Sequence, residues 1–132
     1  AVYALEEKTN PEYVKYDAVE SLGKSSIHAL IIHSADDPLV KKEHHFDVVQ
    51  KALGHKENIK FMLLNGKAHS PNYTYEAVKY KDAFFANLTE KLKKKELETE
   101  EQKSKFVAEY DWWAMTMQDM DIWNKIFEFI EE

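Results

Sequence analysis

The 132 residues suffice for one domain with one core, and a hydrophobic share of 44% fits a globular chain. No apolar run approaches the ~20 residues of a membrane helix, and a net charge of −6 disfavours nucleic acid or an anionic membrane as partner. The absence of cysteine rules out disulfides, a thiol nucleophile and thiolate metal ligands. It also suits a reducing compartment, so the expected location is the cytoplasm. The chain opens at Ala1 with neither a methionine nor a signal sequence, and its natural N-terminus is expected upstream.

In chain order, Val2 to Leu5 reads as a short strand and "NPEYVKYDAVESLG" (10–23) as short helical turns. Asn10 is placed to cap those turns, Pro11 to occupy the first helical position and Gly23 to stop them. "SIHALIIH" (26–33) is the clearest strand, with the near-continuous apolar run of a strand covered on both faces, and His28 is expected inside it as a core residue. "KKEHHFDVVQKALG" (41–54) is an amphipathic helix that presents Phe46, Val49 and Leu53 on one face and ends at Gly54. "NIKFMLL" (58–64) is a second buried strand. Strand, helix, strand at this spacing predicts a βαβ unit with parallel strands and a right-handed crossover.

The remainder predicts helices. Ala77, Tyr80, Phe84, Leu88 and Leu92 form a stripe along 75–92, and "TEEQ" (99–102) is a capping box opening a helix through Phe106 and Val107. "KLKKK" (91–95) reads as the solvated, cationic end of a helix, and 91–103 as a solvent-exposed joint or hinge. Residues 121–130 place Ile122, Trp123, Ile126, Phe127 and Ile130 on a broad apolar face, with Asp121 as a candidate cap. Trp112, Trp113, Met115 and Met117 read as packing rather than as a greasy binding surface. The fold class is therefore α/β, a βαβ unit of parallel strands followed by several helices. Two strands that are apolar on both faces make a sheet too small to cover itself, which points to the C-terminal part of a larger α/β domain.

Two adjacent carboxylates, Asp36 and Asp37, stand where the first strand ends, and Asp-Asp-Pro is also ordinary turn chemistry. Of the six histidines, His28 reads as core, His44, His45 and His55 as surface, and His33 as a support at a strand end. His69 stands apart, a few residues beyond the second strand and after a glycine turn. In a parallel sheet both strands end on the same edge, where open α/β folds gather their reactive groups. An aspartate of the pair and His69 then project from neighbouring loops, as an acid must to hold an imidazole's tautomer.

"LIIHSADDPLV", a helix, and then "IKFMLLNGKAHSP" resembles the last two strands of the α/β-hydrolase superfamily, including bacterial esterase- and peptidase-like members. That family's acid turn, small-x-x-Asp-x-x-Val, is matched from Ser34 to Val40 with serine in place of the usual glycine. Its Gly-x-x-His turn is matched by Gly66-Lys67-Ala68-His69. The resemblance covers about residues 24–72 well and the later helices loosely. It implies Asp37 as the catalytic acid, with Asp36 the alternative register, and His69 as the base. It divides the chain into 1–23, the tail of a cap or preceding helical segment, and 24–132, the C-terminal part of the hydrolase domain.

The family's Gly-x-Ser-x-Gly elbow is absent, because glycines stand only at 23, 54 and 66. The implied function is the C-terminal part of a serine hydrolase acting on an ester, thioester or amide. On that resemblance the nucleophile and oxyanion hole would lie upstream, and these residues alone would be inactive. The expected partners are a small-molecule acyl substrate in the intact enzyme and a second copy through strand 27–33, with no cofactor and no metal. The alternative is a non-enzymatic α/β module in which the Asp pair and His69 are structural. A magnesium or phosphoryl-transfer site on the acidic pair is disfavoured, since no third strand-end carboxylate and no phosphate-binding glycine loop is present.

Overall fold

The computed structural model describes residues 8–12 and 15–131, so the strand expected at 2–5 lies outside the described residues. The elements are α1 (Ala18–Lys24), β1 (Ala29–Ser34), a 3₁₀ turn (Lys42–His44), α2 (Phe46–Leu53), β2 (Ile59–Leu64), α3 (Tyr75–Lys93), α4 (Glu100–Ala108), α5 (Trp112–Met115) and α6 (Met120–Glu131). The fold is α/β, two parallel strands joined through a helix and followed by helices.

The strands pair in register from Ala29 opposite Ile59 to Ser34 opposite Leu64. Phe46 of α2 covers one face of the sheet. Its ring stacks on His33 of β1 and meets Phe61 of β2 edge-on, each at 5.7 Å. At the sheet's opposite face, Lys60 lies over the Phe129 ring of α6. Only Ser34 of β1 is fully buried; Ala29 to His33 are half-buried. Since Ala29 and Ala35 donate to Asn58 and Leu64 across the ladder, the alternate residues Leu30 and Ile32 turn their backbone groups to the other edge. No strand pairs there among the described residues.

A second core lies among the helices, where Phe84 of α3 gathers Leu97, Phe106 of α4 and Met115 of α5. Phe84 stacks on Phe106 at 5.6 Å and takes the edge of Tyr110 at 4.8 Å. The Thr99–Gln102 capping box forms reciprocally, with each backbone N–H bonded by the other's side chain. No helix among the described residues is long and apolar enough to cross a membrane.

Several local expectations are corrected. His28 precedes β1 and is exposed, because the strand begins at Ala29 rather than at Ser26. Asp17, not Asn10, caps α1, accepting from the Glu20 N–H at 2.9 Å, and Gly23 falls inside the last turn rather than ending it. The helix expected at 41–54 divides, because a 3₁₀ turn precedes Phe46. The joint at 91–103 is pinned: Leu97, flanked by charges, is 6% exposed in the helical core. The cap of α6 is Asp119, not Asp121, since Asp119 Oδ1 accepts from the Asp121 and Ile122 N–H groups. Packing holds for Met115 but not for Trp113, which is 79% exposed.

Candidate active site

Both strands end on one edge, and the loops that follow meet there. Ala35 donates to the Leu64 carbonyl at 2.8 Å, so the ladder runs one residue past β1 before the chains separate. Asp36 and Asp37 then diverge. Asp36 Oδ1 accepts from the Ser34 hydroxyl at 2.7 Å, the Gly66 N–H at 2.9 Å and the Lys67 N–H at 3.3 Å, and its Oδ2 accepts from the Ala68 N–H at 3.3 Å. The Ser34 hydroxyl foremost, then the Ala68 and Gly66 N–H groups, hold this carboxyl below its ordinary 3.8 against the upward push of burial. One carboxylate thus clamps three successive backbone N–H groups of the neighbouring loop.

That loop needs the clamp. Gly66 has φ +71° and Ala68 φ +45°, so two of its four residues are left-handed and one of these carries a side chain. A Cβ at Gly66 would stand 3.0 Å from Cδ2 of Tyr75, which explains glycine at this position. The turn delivers His69 beside Asp37.

Asp37 Oδ2 lies 2.8 Å from His69 Nδ1. Its Oδ1 accepts from the Leu39 N–H at 2.9 Å and the Val40 N–H at 3.0 Å, which fixes the carboxylate's rotation. The Asp37 side chain is 7% exposed and the His69 side chain 55%. Burial pushes the Asp37 carboxyl up, but the Val40 N–H, the His69 ring and the Leu39 N–H outweigh it and lower it to about 2. An ionised carboxylate only accepts, so Nδ1 is the ring nitrogen that bears a hydrogen toward it, and in the neutral ring Nε2 is left with its lone pair. The pair opens on a shallow cleft of about 180 Å³ whose apolar walls are Ile32, Val40 and Pro71. His33 also borders it; its Nε2 is buried without a hydrogen-bond partner among the described residues.

No protein-family model, curated protein or solved structure matches the chain. The geometry of the site therefore carries the functional reading.

The structure brings together Asp37 and His69, which sequence placed on one edge, and assigns Asp36 to the clamp. The serines near the site are engaged elsewhere: the Ser34 hydroxyl donates to Asp36, and Ser70, 9% exposed, accepts from the Lys81 ammonium of α3. His44, His45 and His55 are exposed. Among the described residues no three His, Asp or Glu side chains converge as metal ligands would. Sequence reading missed Lys67, Lys81 and Asp119, which brace the histidine turn. Their partners lie far along the chain, and no local pattern announces them.

Proposed function

We propose that these residues supply the acid and the base of a Ser-Asp-His triad in an α/β hydrolase, and that the serine lies in polypeptide preceding them. Asp37 holds His69 with Nδ1 protonated, and Nε2 takes the proton of the serine hydroxyl as it attacks an ester, thioester or amide carbonyl. The imidazolium formed is stabilised by the buried carboxylate, and Nε2 returns the proton to the leaving group. Asp36 does not touch the imidazole; it fixes the turn on which the imidazole stands.

The 2.8 Å contact from Asp37 Oδ2 to His69 Nδ1, with Asp37 ionised and its other oxygen bound to two backbone N–H groups, carries this reading. The second edge of β1, with which no strand pairs among the described residues, supports it, since a hydrolase sheet would continue there. So does the His69 ring, half exposed beside a cleft that has room for further groups. A small acyl compound is the proposed substrate, and the cytoplasm suits a chain without cysteine.

The test is a polypeptide extended through the coding sequence ahead of Ala1, treated with a fluorophosphonate probe. The expected result is one labelled serine in a Gly-x-Ser-x-Gly elbow, with labelling lost in His69→Ala. Labelling indifferent to His69, or an upstream region with no such elbow, would overturn the proposal.

A further inference from the structure

The histidine turn is also held from a side that proton transfer does not use. Lys67, two residues before His69, is only 8% exposed. Its ammonium donates to the Tyr73 carbonyl at 2.8 Å and to the Asp119 carboxylate. An ammonium is drawn out of water only where partners compensate it, and a turn whose sole task was reversal would leave this side chain solvated. Asp119 is tied down in its turn. Oδ1 caps α6 through the Asp121 and Ile122 N–H groups, and its own N–H donates to the Asn72 carbonyl at 2.9 Å. The Thr74 N–H donates to the Met117 carbonyl at 3.0 Å, so the loop is bound to segment 117–119 on both sides of the lysine contact.

Between Lys67 and His69 stands Ala68 at φ +45°, a conformation that L residues keep only when their surroundings impose it. Those dihedrals set the direction in which the His69 side chain leaves the backbone. Asp36 grips the turn by its N–H groups from the β1 side, and Lys67 grips it from the α6 side.

We propose that Lys67 and Asp119 are a positioning pair for His69, holding the imidazole turn against the N-terminus of α6 so that Nδ1 faces Asp37. The catalytic value of the pair rests on the hydrolase reading above, whereas the geometry it enforces exists with or without that activity. The helical segment 75–118 thereby gains a role: it carries the chain back to the turn that bears the imidazole.

The test reads the His69 tautomer by ¹⁵N imidazole shifts in the full chain at alkaline pH, for wild type, Asp119→Asn and Lys67→Met. Asparagine caps a helix as well as aspartate does, so Asp119→Asn removes the charge and keeps the start of α6. Backbone amide signals of β1 and β2 report the fold in every sample. The wild-type ring is expected to be protonated at Nδ1. In both variants the ratio of Nδ1–H to Nε2–H is expected to fall roughly tenfold, the size of one lost charge-assisted hydrogen bond. An unchanged ratio in Asp119→Asn with intact β1 and β2 signals overturns the proposal, and so does a wild-type ring without preference for Nδ1–H. If Lys67→Met does not fold, Asp119→Asn alone decides. Failure of the hydrolase reading would appear separately, as absent serine labelling with the tautomer effect intact.

Discussion

Asp36 and Asp37 are adjacent in the chain and bind opposite kinds of group: Asp36 takes three backbone N–H groups of the 66–68 loop, and Asp37 takes the ring of His69. Both carboxylates reach the 66–69 turn, Asp36 at its backbone and Asp37 at its imidazole, and Asp37 also holds the Leu39 and Val40 N–H groups of its own loop. Removing either therefore has a distinct consequence. In Asp36→Ala the clamped N–H groups lose their acceptor, and unfolding free energy is expected to fall on the order of 1–3 kcal/mol. Asp37→Ala is expected to leave the amide signals of Gly66, Lys67 and Ala68 in place while its Asp37–His69 contact is lost. Urea unfolding with amide spectra checks both, and disordering of the 66–68 loop in Asp37→Ala would contradict the division of labour.

Gly66→Ala puts a side chain at φ +71° and a methyl group 3.0 Å from Tyr75. The left-handed backbone alone costs about 1–2 kcal/mol. A thermal melt is expected to show a lowered midpoint; an unchanged or raised one would mean that the turn does not need glycine.

Acid should destabilise the molecule in a defined window. Asp37 is lowered from 3.8 to about 2, and Asp36 and Asp119 are lowered as well. A carboxyl depressed on folding stabilises the native state above its unfolded value and loses that contribution as pH falls toward its folded one. For Asp37, whose side chain is 7% exposed, the contribution is about 2 kcal/mol, present above about pH 4 and fading toward pH 2. Urea midpoints measured at about pH 6, 4 and 2.5 are expected to drop between the last two, and less so in Asp37→Asn. An equal drop in that variant would remove Asp37 from the explanation.

Much of the fold was legible because its signals are local. The strands announced themselves by apolar runs, α3 by the spacing of Ala77, Tyr80, Phe84 and Leu88, and the start of α4 by Thr99 and Gln102. What escaped was set by distant partners. Leu97 sits in a charged run, and it is drawn inward by the folded core it joins with Phe84, Phe106 and Met115. Asp119 and Asp121 are equally good caps on paper; the ammonium of Lys67 and the Asn72 carbonyl select the first. That an aspartate of the pair would meet His69 could be anticipated from sheet topology. The role of Asp36 could not, because the N–H groups it binds become available only in a turn with two left-handed residues.

Among the described residues no strand pairs with the outer edge of β1, and such an edge is a template for another strand. We expect self-association at high concentration through this edge, seen by sedimentation as a mass that rises with loading. Ile32→Pro removes an N–H that points to the open edge, leaves the ladder to β2 intact and is expected to suppress the rise. A strict monomer at every concentration would contradict this.

These 132 residues alone are expected to hydrolyse an activated short-chain ester no faster than free imidazole. The Ser34 and Ser70 hydroxyls are bound to Asp36 and Lys81, and neither stands on an elbow opening a helix. Turnover well above the imidazole control, lost in His69→Ala, would reveal a nucleophile within this stretch.

The proposed triad requires that Asp37 fix His69 as a base with Nε2 free to take a proton. The most direct measurement is the ¹⁵N imidazole spectrum of His69 in wild type and in Asp37→Asn at alkaline pH. The expected result is a wild-type ring protonated at Nδ1 and bare at Nε2. Asp37→Asn should shift the proton to Nε2, because the amide can turn its NH₂ toward Nδ1. A wild-type ring with the mixed tautomers of an exposed histidine, or one unaffected by Asp37→Asn, would contradict it.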